Sequence, residues 1–381
     1  MNKNNKKVFV MMSGGVDSSV AALLLKKQGY DVVGVFMRSY NIDGCQERDA
    51  EDARRVAEKL NIPFYVWDFE EEYKKKVVEY MIDGYRQGIT PNPDVMCNKE
   101  IKFGLFLKRS LEMGADFVAT GHYVRLKRTQ PTTDNKQLTI KKQSIGQASD
   151  VRCQMFAAKD GNKDQSYFLW TLTQKQLKHC LFPIGNYLKS ETREIARKAG
   201  LSTADKKDSQ GICFLGKVTL KDFLNQYIPE KRGLVLSASG EVFGEHKGAH
   251  FYTIGQRHLK ISNLKNQISN SQPVYVVEKD IQNNTIIVAK GSDNSALYKK
   301  EIKLTNVNFI NSVHSQILKN VGMNILTRVR YRQPLASARL DFSDDLCCNL
   351  IFDEPQKFVA SGQSAVFYAD DGEMLGGGII K

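Results

Sequence analysis

The chain has 381 residues, 41% apolar and 25% charged, which is ordinary for a globular protein and, at roughly 150 residues per domain, enough for two or three domains. No run reaches the ~18 apolar residues of a membrane-spanning helix, so a helical membrane protein is excluded and no membrane partner is expected. With 55 Lys and Arg against 42 Asp and Glu the net charge is +13. That excess favours a polyanionic partner, nucleic acid before an anionic membrane surface, although a merely basic solvated surface would give the same number.

The first half alternates strand and helix. Val8–Met12 is a short apolar run that ends at Ser13-Gly14-Gly15 and reads as a buried strand entering a turn. Ser18 to Gln28 has Val20, Leu23 and Leu24 at helical spacing, with Gly29 at the C′ position. Residues 31–37 form a second strand, 46–60 a helix with Ala50, Ala53, Ala57 and Leu60 on one face, 62–69 a third strand and 70–81 a helix. A helix over 98–113 and a strand over 116–120 follow. This order predicts an α/β domain with a parallel sheet covered on both faces. Residues 127–150 are polar and aperiodic and read as an insertion. Helical character returns at 165–180 and at 190–199, between a Ser190 cap and Gly200. After about 216 short alternating runs dominate, at 233–243, 273–279, 285–290, 302–310, 323–333, 336–342, 346–352 and 363–369, with a loop over 262–272. They predict a small central domain and a C-terminal β-barrel. The divisions fall near 215 and 292, giving 1–215, 216–292 and 293–381.

Seven cysteines, at 45, 97, 153, 180, 213, 347 and 348, include no CxxC pair, so neither a disulfide framework nor a zinc site is expected. Such usage suits a reducing compartment. The apolar run after Lys3, Lys6 and Lys7 is too short for a signal peptide, and the segment lacks Arg, so a cytoplasmic location is expected.

The sharpest local feature is Ser13-Gly14-Gly15-Val16-Asp17-Ser18-Ser19, at the carboxyl end of the first strand, where open parallel sheets bind ligands. Glycines let backbone N–H groups approach phosphate, the helix N-terminus adds positive partial charge, and serine hydroxyls add donors. No Walker A lysine follows, and the pattern is not GxGxxG. The bland alternative is a glycine turn with a Ser/Asp helix cap.

The loop resembles the pyrophosphatase-loop signature of ATP enzymes that activate a carbonyl oxygen with AMP. Further segments resemble one such family, the tRNA-specific 2-thiouridylases: residues 90–98 (TPNPDVMCN), Ala119-Thr120-Gly121-His122-Tyr123, Lys163-Asp164-Gln165-Ser166-Tyr167, residues 206–214 (KKDSQGICF) and Ser361-Gly362-Gln363. The resemblance runs from about residue 7 to the C-terminus; Met11 stands where the family usually has Gly. It implies an adenine-nucleotide site made by Met11, Met12, Ser13, Gly14, Gly15, Val16, Asp17, Ser18, Met37 and Gly121, with ATP and Mg²⁺ as cofactors. It implies that Cys213 carries a persulfide received from a sulfur-relay or cysteine desulfurase protein. Cys97 would be the partner thiol, freeing the sulfur and ending in a Cys97–Cys213 disulfide; direct transfer from the persulfide is the other variant. Asn92, Pro93 and Asp94 would form the target-base pocket, with Asp94 bonding uracil N3–H or moving a proton. His122, Lys163, Asp164, Gln165, Tyr331, Arg332 and Gln363 would contact tRNA.

The residues themselves add to this. Two prolines stiffen the loop before Cys97, and a helix start just beyond would lower a thiol pKa. Cys213 is flanked by Ile212 and Phe214, which would shelter a bound sulfur. Elsewhere a cysteine is simply a small buried hydrophobe. Arg328, Arg330 and Arg332 alternate with Val329 and Tyr331, which in a strand puts three guanidinium groups on one face as a phosphate-binding stripe. Two other functions remain open at this level: a pyrophosphatase-loop ligase acting on a small molecule, and a non-catalytic RNA-binding protein.

Overall fold

The computed structural model describes residues 5–42, 44, 46–129, 151–208, 211–212, 214–216, 218–259, 261–262, 273–311, 324–342 and 347–381. Cys45, Cys213 and nearly all of the predicted 127–150 and 262–272 insertions lie outside the described residues.

The chain opens with β1 (Lys7–Met11), α1 (Val16–Lys27), β2 (Asp31–Arg38), α2 (Gln46–Lys59) and β3 (Phe64–Asp68). Next come α3 (Glu70–Tyr73), a π-wound turn (Lys74–Val78) and α4 (Glu79–Arg86), then α5 (Pro93–Met96), a second π-wound stretch (Cys97–Phe106) and α6 (Leu107–Glu112). β4 (Phe117–Ala119), β5 (Val124–Thr129), β6 (Arg152–Ala157), α7 (Gln174–Leu177), β7 (Cys180–Leu181) and α8 (Lys189–Lys198) complete this half. β3, β2, β1, β4 and β7 form a parallel sheet in that order. The alternation along β1 assigns its two faces to two cores. Val8 and Val10 pack with Val20 and Ala53 under α1 and α2, while Phe9 and Met11 pack with Trp67, Ile101 and Phe106 on the other side. The strand order reverses between β1 and β4, and it is outside the carboxyl ends of the strands at such a switch point that open parallel sheets bind ligands.

After α9 (Leu220–Leu224), β8 (Gly233–Ser237), β9 (Val242–His246), β10 (Val274–Asp280) and β11 (Thr285–Lys290) make a four-stranded central sheet around Val235, Val276, Ile286 and Val288. β12 (Tyr298–Phe309), β13 (Asn324–Arg328), β14 (Ala336–Phe342), β15 (Cys348–Lys357), β16 (Ser364–Tyr368) and β17 (Glu373–Ile380) follow. Their order is β12-β15-β14-β13-β16-β17, and β17 pairs back onto β12, so six antiparallel strands close a barrel. The expected α/β domain and terminal barrel are both present.

Two expected elements fail. Residues 165–180 are mostly turns rather than a helix, with a single 3₁₀ turn at Ser166–Phe168 before α7. Polar groups there are drawn to tertiary partners: the Tyr167 hydroxyl donates to the Ser364 carbonyl and Trp170 Nε1 to Ser364 Oγ. The strand expected over 323–333 stops at Arg328, because the chain turns there: Gln333 N donates to the Arg330 carbonyl and Arg332 has φ +64. The alternation signal also missed a joint. The β5–β6 hairpin leaves the first half of the chain and pairs with β17, through Glu373↔Phe156 and Met374↔Met155.

Candidate active site

The glycine-serine loop follows the carboxyl end of β1, at the β1/β4 switch point. Ser18 folds it onto itself: its Oγ accepts from Ser13 N at 3.1 Å and donates to the Gly15 carbonyl at 3.2 Å. Met11, Met12 and Val16 are buried in the two cores, so at these positions only the backbone is available to a ligand; Met37, half-buried, is the penultimate residue of β2 and pairs with Trp67. The loop after β4 closes on the start of α1. A Cβ on Gly121 would lie 2.6 Å from Ser18 N and 2.7 Å from the Asp17 carbonyl carbon, so only glycine allows this approach.

Asp17 organises the charges beside the loop. Lys189 Nζ lies 2.8 Å from both Asp17 carboxylate oxygens, and the Tyr123 hydroxyl donates to Oδ1 at 2.9 Å. The same ammonium is 2.8 Å from Asp208, which also receives Lys163 at 2.7 Å and Arg193 at 2.9 Å. Burial pushes the Asp208 carboxyl up, but the bonds from Lys163 and Lys189 outweigh it and hold the group at about 2. A carboxyl lowered in this way contributes stability above its ordinary ~3.9 and loses it only as pH falls toward the folded value, so Asp208 is ionised near neutrality. Lys206 binds Asp49 and Asp52 of α2 at 2.7 and 2.5 Å. The segment that leads to Cys213 is thus tied to the loop and to α2 by ion pairs.

Cys97 follows the Asn92-Pro93-Asp94 motif in the chain, and the helix start differs from expectation. Pro93 supplies the first helical residue with its fixed φ, and the Asn92 side chain accepts from Val95 N at 3.2 Å, so the helix begins at Pro93 rather than 98. Cys97 is therefore one turn inside it and 3% exposed. It shares a hydrophobic core with Phe214, and Ile212 packs against that core, so both chain neighbours of Cys213 belong to the cluster that holds Cys97. Phe214 stands edge-on to Tyr73 and Phe223. Next to Cys97, Asn98 donates from Nδ2 to the Phe168 carbonyl at 3.2 Å, and its buried Oδ1 has no hydrogen bond among the described residues.

Burial raises the Asp94 carboxyl above the usual range, and the charge of Lys102 pulls it part of the way back. Burial, then Lys102, lowers His122 well below its usual value, so its ring is neutral; Nδ1 is 2.8 Å from Thr120 Oγ1 and the ring packs among Phe103 and Phe182. One lysine, which the motifs did not single out, thus acts on both groups.

The expected tRNA-contact residues divide. Asp164 is 3% exposed and accepts from Ala158 N, Ser166 N and Ser166 Oγ at 2.9–3.1 Å, which makes it an internal brace. Gln165 Oε1 accepts from Tyr123 N, and Lys163 is held by Asp208. Gln363 Nε2 donates to the Thr90 carbonyl at 2.8 Å. The arginine stripe does not form, because the strand ends at its first member. Arg328 points inward, over the Tyr368 ring and 3.6 Å from Asp164; Arg330 lies over Phe358 and is half-buried; Arg332 alone is exposed, over Tyr331. Tyr331 in turn stacks on Phe168, with centroids 4.5 Å apart. Lys189, Arg193 and Lys102 carry no local pattern that would mark them; only the fold brings them to the site.

The chain, a parallel-sheet domain followed by two β modules, matches three family descriptions in order. They are tRNA methyl transferase HUP domain over residues 6–217, tRNA methyl transferase PRC-barrel domain over 221–290 and Aminomethyltransferase beta-barrel domain over 299–380. The tRNA-specific 2-thiouridylase MnmA of Bacillus licheniformis is 45% identical over 385 residues, covering 98% of this chain and 94% of that protein. Those of Geobacillus thermodenitrificans and Bacillus subtilis are 43% and 44% identical, covering 100% and 98% of this chain and 96% and 94% of theirs. The chain belongs to the tRNA-specific 2-thiouridylase family.

Proposed function

We propose that this protein converts the wobble uridine of certain tRNAs to 2-thiouridine. ATP is consumed to join the uracil C2 oxygen to AMP with release of pyrophosphate, and sulfur from a Cys213 persulfide then replaces that oxygen. The observation that carries the reading is that one hydrophobic core holds Cys97, Phe214 and Met11 at the end of the strand that opens into the glycine-serine loop, with Ile212 packed against it, so that both chain neighbours of Cys213 stand at the core that holds Cys97.

The roles follow from the chemistry. Uracil C2 is a poor electrophile and oxide a poor leaving group; linkage to AMP corrects both. Backbone N–H groups of 14–18 hold phosphate oxygens, and Lys189, ordered by Asp17 and Asp208, faces the charge that develops as pyrophosphate leaves. Asn92 and Asp94 receive the base edge once the base leaves its stack. Cys97 then attacks the Cys213 sulfur of the persulfide: the S–S bond breaks, hydrosulfide leaves and attacks C2, AMP departs, and a Cys97–Cys213 disulfide remains for an external dithiol to reopen. The persulfide comes from a sulfur-relay or cysteine desulfurase protein. Mg²⁺ would accompany the phosphates. Among the described residues no three His, Cys, Asp or Glu side chains cluster as a metal cage, and Asp17 is paired with Lys189, so no step is assigned to a protein-held ion. No helix among the described residues is long and apolar enough to cross a membrane. We place the enzyme in the cytoplasm, in keeping with its tRNA substrate and with cysteine usage that suits a reducing compartment. We keep the domain divisions near 215 and 292.

The direct test is incubation with unmodified tRNA, ATP and a persulfide donor, followed by assay of AMP, pyrophosphate and thiolated uridine. Amide formation on a small molecule without tRNA would favour a ligase; tRNA binding with no ATP turnover would favour a non-catalytic binder.

Two further outcomes are expected. As an acceptor for uracil N3–H, Asp94 must be charged, and its raised pKa puts the loss of activity on acidification above the ordinary aspartate range. The pH profile of kcat/KM should have that acid limb in the wild type and lose it, at roughly 10²-fold lower rate, in Asp94→Asn. Arg332→Ala should lower the salt slope of tRNA binding by roughly 0.7–0.9, the share of one phosphate contact. Arg328→Ala should leave the slope alone and lower Tm, because it strips a buried cation from beside Asp164.

A further inference from the structure

Thr90, just ahead of the base-pocket turn, is the point where all three parts of the molecule meet. Its N–H donates to the Ser361 carbonyl at 2.7 Å, and its carbonyl accepts from Gln363 Nε2 at 2.8 Å. Its hydroxyl lies 3.3 Å from that of Thr253 in the central domain. Both backbone groups of Thr90 are therefore spent on the barrel rather than on the sheet that carries the nucleotide loop. Gly362, between the two barrel partners, has φ +88, and a Cβ there would lie 2.9 Å from the Thr90 carbonyl carbon and oxygen. Any larger residue would be strained and would also press on Thr90. The turn cannot easily retreat, because it is clipped to β17: Gly362 N donates to the Ile380 carbonyl and Ile380 N to the Gln363 carbonyl, each at 2.8 Å. Pro91 and Pro93 fix φ on either side of Asn92, so a displacement at Thr90 carries into Asn92 and Asp94 instead of being absorbed between them.

We infer that the Ser361-Gly362-Gln363 turn is a positioning element for catalysis: the barrel sets where the Asn92-Pro93-Asp94 pocket stands, and so contributes to turnover as well as to RNA binding. The Gln363 amide serves the loop, which makes it a positioning residue. This rests on the reading of residues 92–94 as the base pocket.

Gly362→Ala and Gln363→Leu test it in the full-length enzyme, beside Asn92→Ala. We measure kcat for thiolation, the Kd values for unmodified tRNA and for ATP, and Tm. The expected result is a fall in kcat of about tenfold or more in both barrel variants, with both Kd values within about twofold of wild type and the fold retained. Gln363→Leu nearly keeps the shape of the side chain, so it holds the test open if Gly362→Ala folds poorly. Unchanged kcat in a folded Gln363→Leu would overturn the inference. So would a weakened tRNA Kd with kcat preserved at saturation, since the turn would then be gripping RNA. Full kcat in Asn92→Ala would instead remove the pocket reading beneath it; reduced kcat in Asn92→Ala with normal barrel variants would sink the positioning role alone.

Discussion

Cys213→Ser is expected to yield no thiolated uridine, a loss of at least about 10³-fold, while tRNA-dependent release of pyrophosphate continues. A serine hydroxyl cannot hold a persulfide, so the substitution removes the sulfur source and leaves the nucleotide loop intact. Cys97→Ser should give the same pattern for a different reason. The persulfide can still be loaded on Cys213, but no thiol is there to break its S–S bond and free the sulfur. Trypsin mapping of the loaded enzyme separates the two: the persulfide mass is present on the Cys213 peptide in Cys97→Ser and absent in Cys213→Ser. Cys97 is 3% exposed, in a core shared with Phe214, so serine there also costs some stability, and a Tm measurement must accompany the assay. Full activity of Cys213→Ser with a defined donor would remove the mechanism.

Gly121→Ala is expected to strike the earlier step. The added methyl would stand 2.6 Å from Ser18 N and 2.7 Å from the Asp17 carbonyl carbon, well inside van der Waals contact with backbone that cannot swing aside. Either the β4 loop or the first turn of α1 must shift by a few tenths of an ångström or more. A shift of α1 drags Asp17, and with it the Lys189 bridge to Asp208. Misplacement on that scale costs roughly 10² in rate, so AMP and pyrophosphate formation should fall by about that factor, with a raised KM for ATP. Loading of persulfide onto Cys213 should stay normal, because it needs no nucleotide. Normal adenylation by a folded Gly121→Ala enzyme would mean that the β1/β4 switch point is not the nucleotide site.

Much of the architecture was legible because it rests on local signals. β1, β2, α1 and α2 follow from apolar runs and helical spacing, punctuated by Gly14-Gly15 and Gly29. The glycine-serine loop was legible for the same reason, since strand, turn and helix are contiguous in sequence. What failed was alternation without a strand. Arg328, Val329, Arg330, Tyr331 and Arg332 have the period of a sheet face, but the turn after Arg328 sends the three guanidinium groups to three environments. Residues 165–180 have helical character in sequence, yet their apolar side chains fill the seam between sheet and barrel, where Tyr167 and Trp170 both bond Ser364. For Asp164 and Gln363 the motif resemblance implies contact with tRNA; the burial of the one and the Thr90 contact of the other are facts of three-dimensional packing that no local pattern carries. Lys189 was invisible for the same reason, standing 172 positions from its partner Asp17.

The most direct measurement is non-reducing peptide mapping after a single turnover. Persulfide-loaded enzyme is mixed with tRNA and ATP in the absence of any thiol reductant, quenched with an alkylating agent and digested. The account predicts one Cys97–Cys213 cross-linked peptide for each thiolated uridine formed, and none when ATP or tRNA is left out. Thiolated uridine formed in full while both cysteines remain open to alkylation would contradict it.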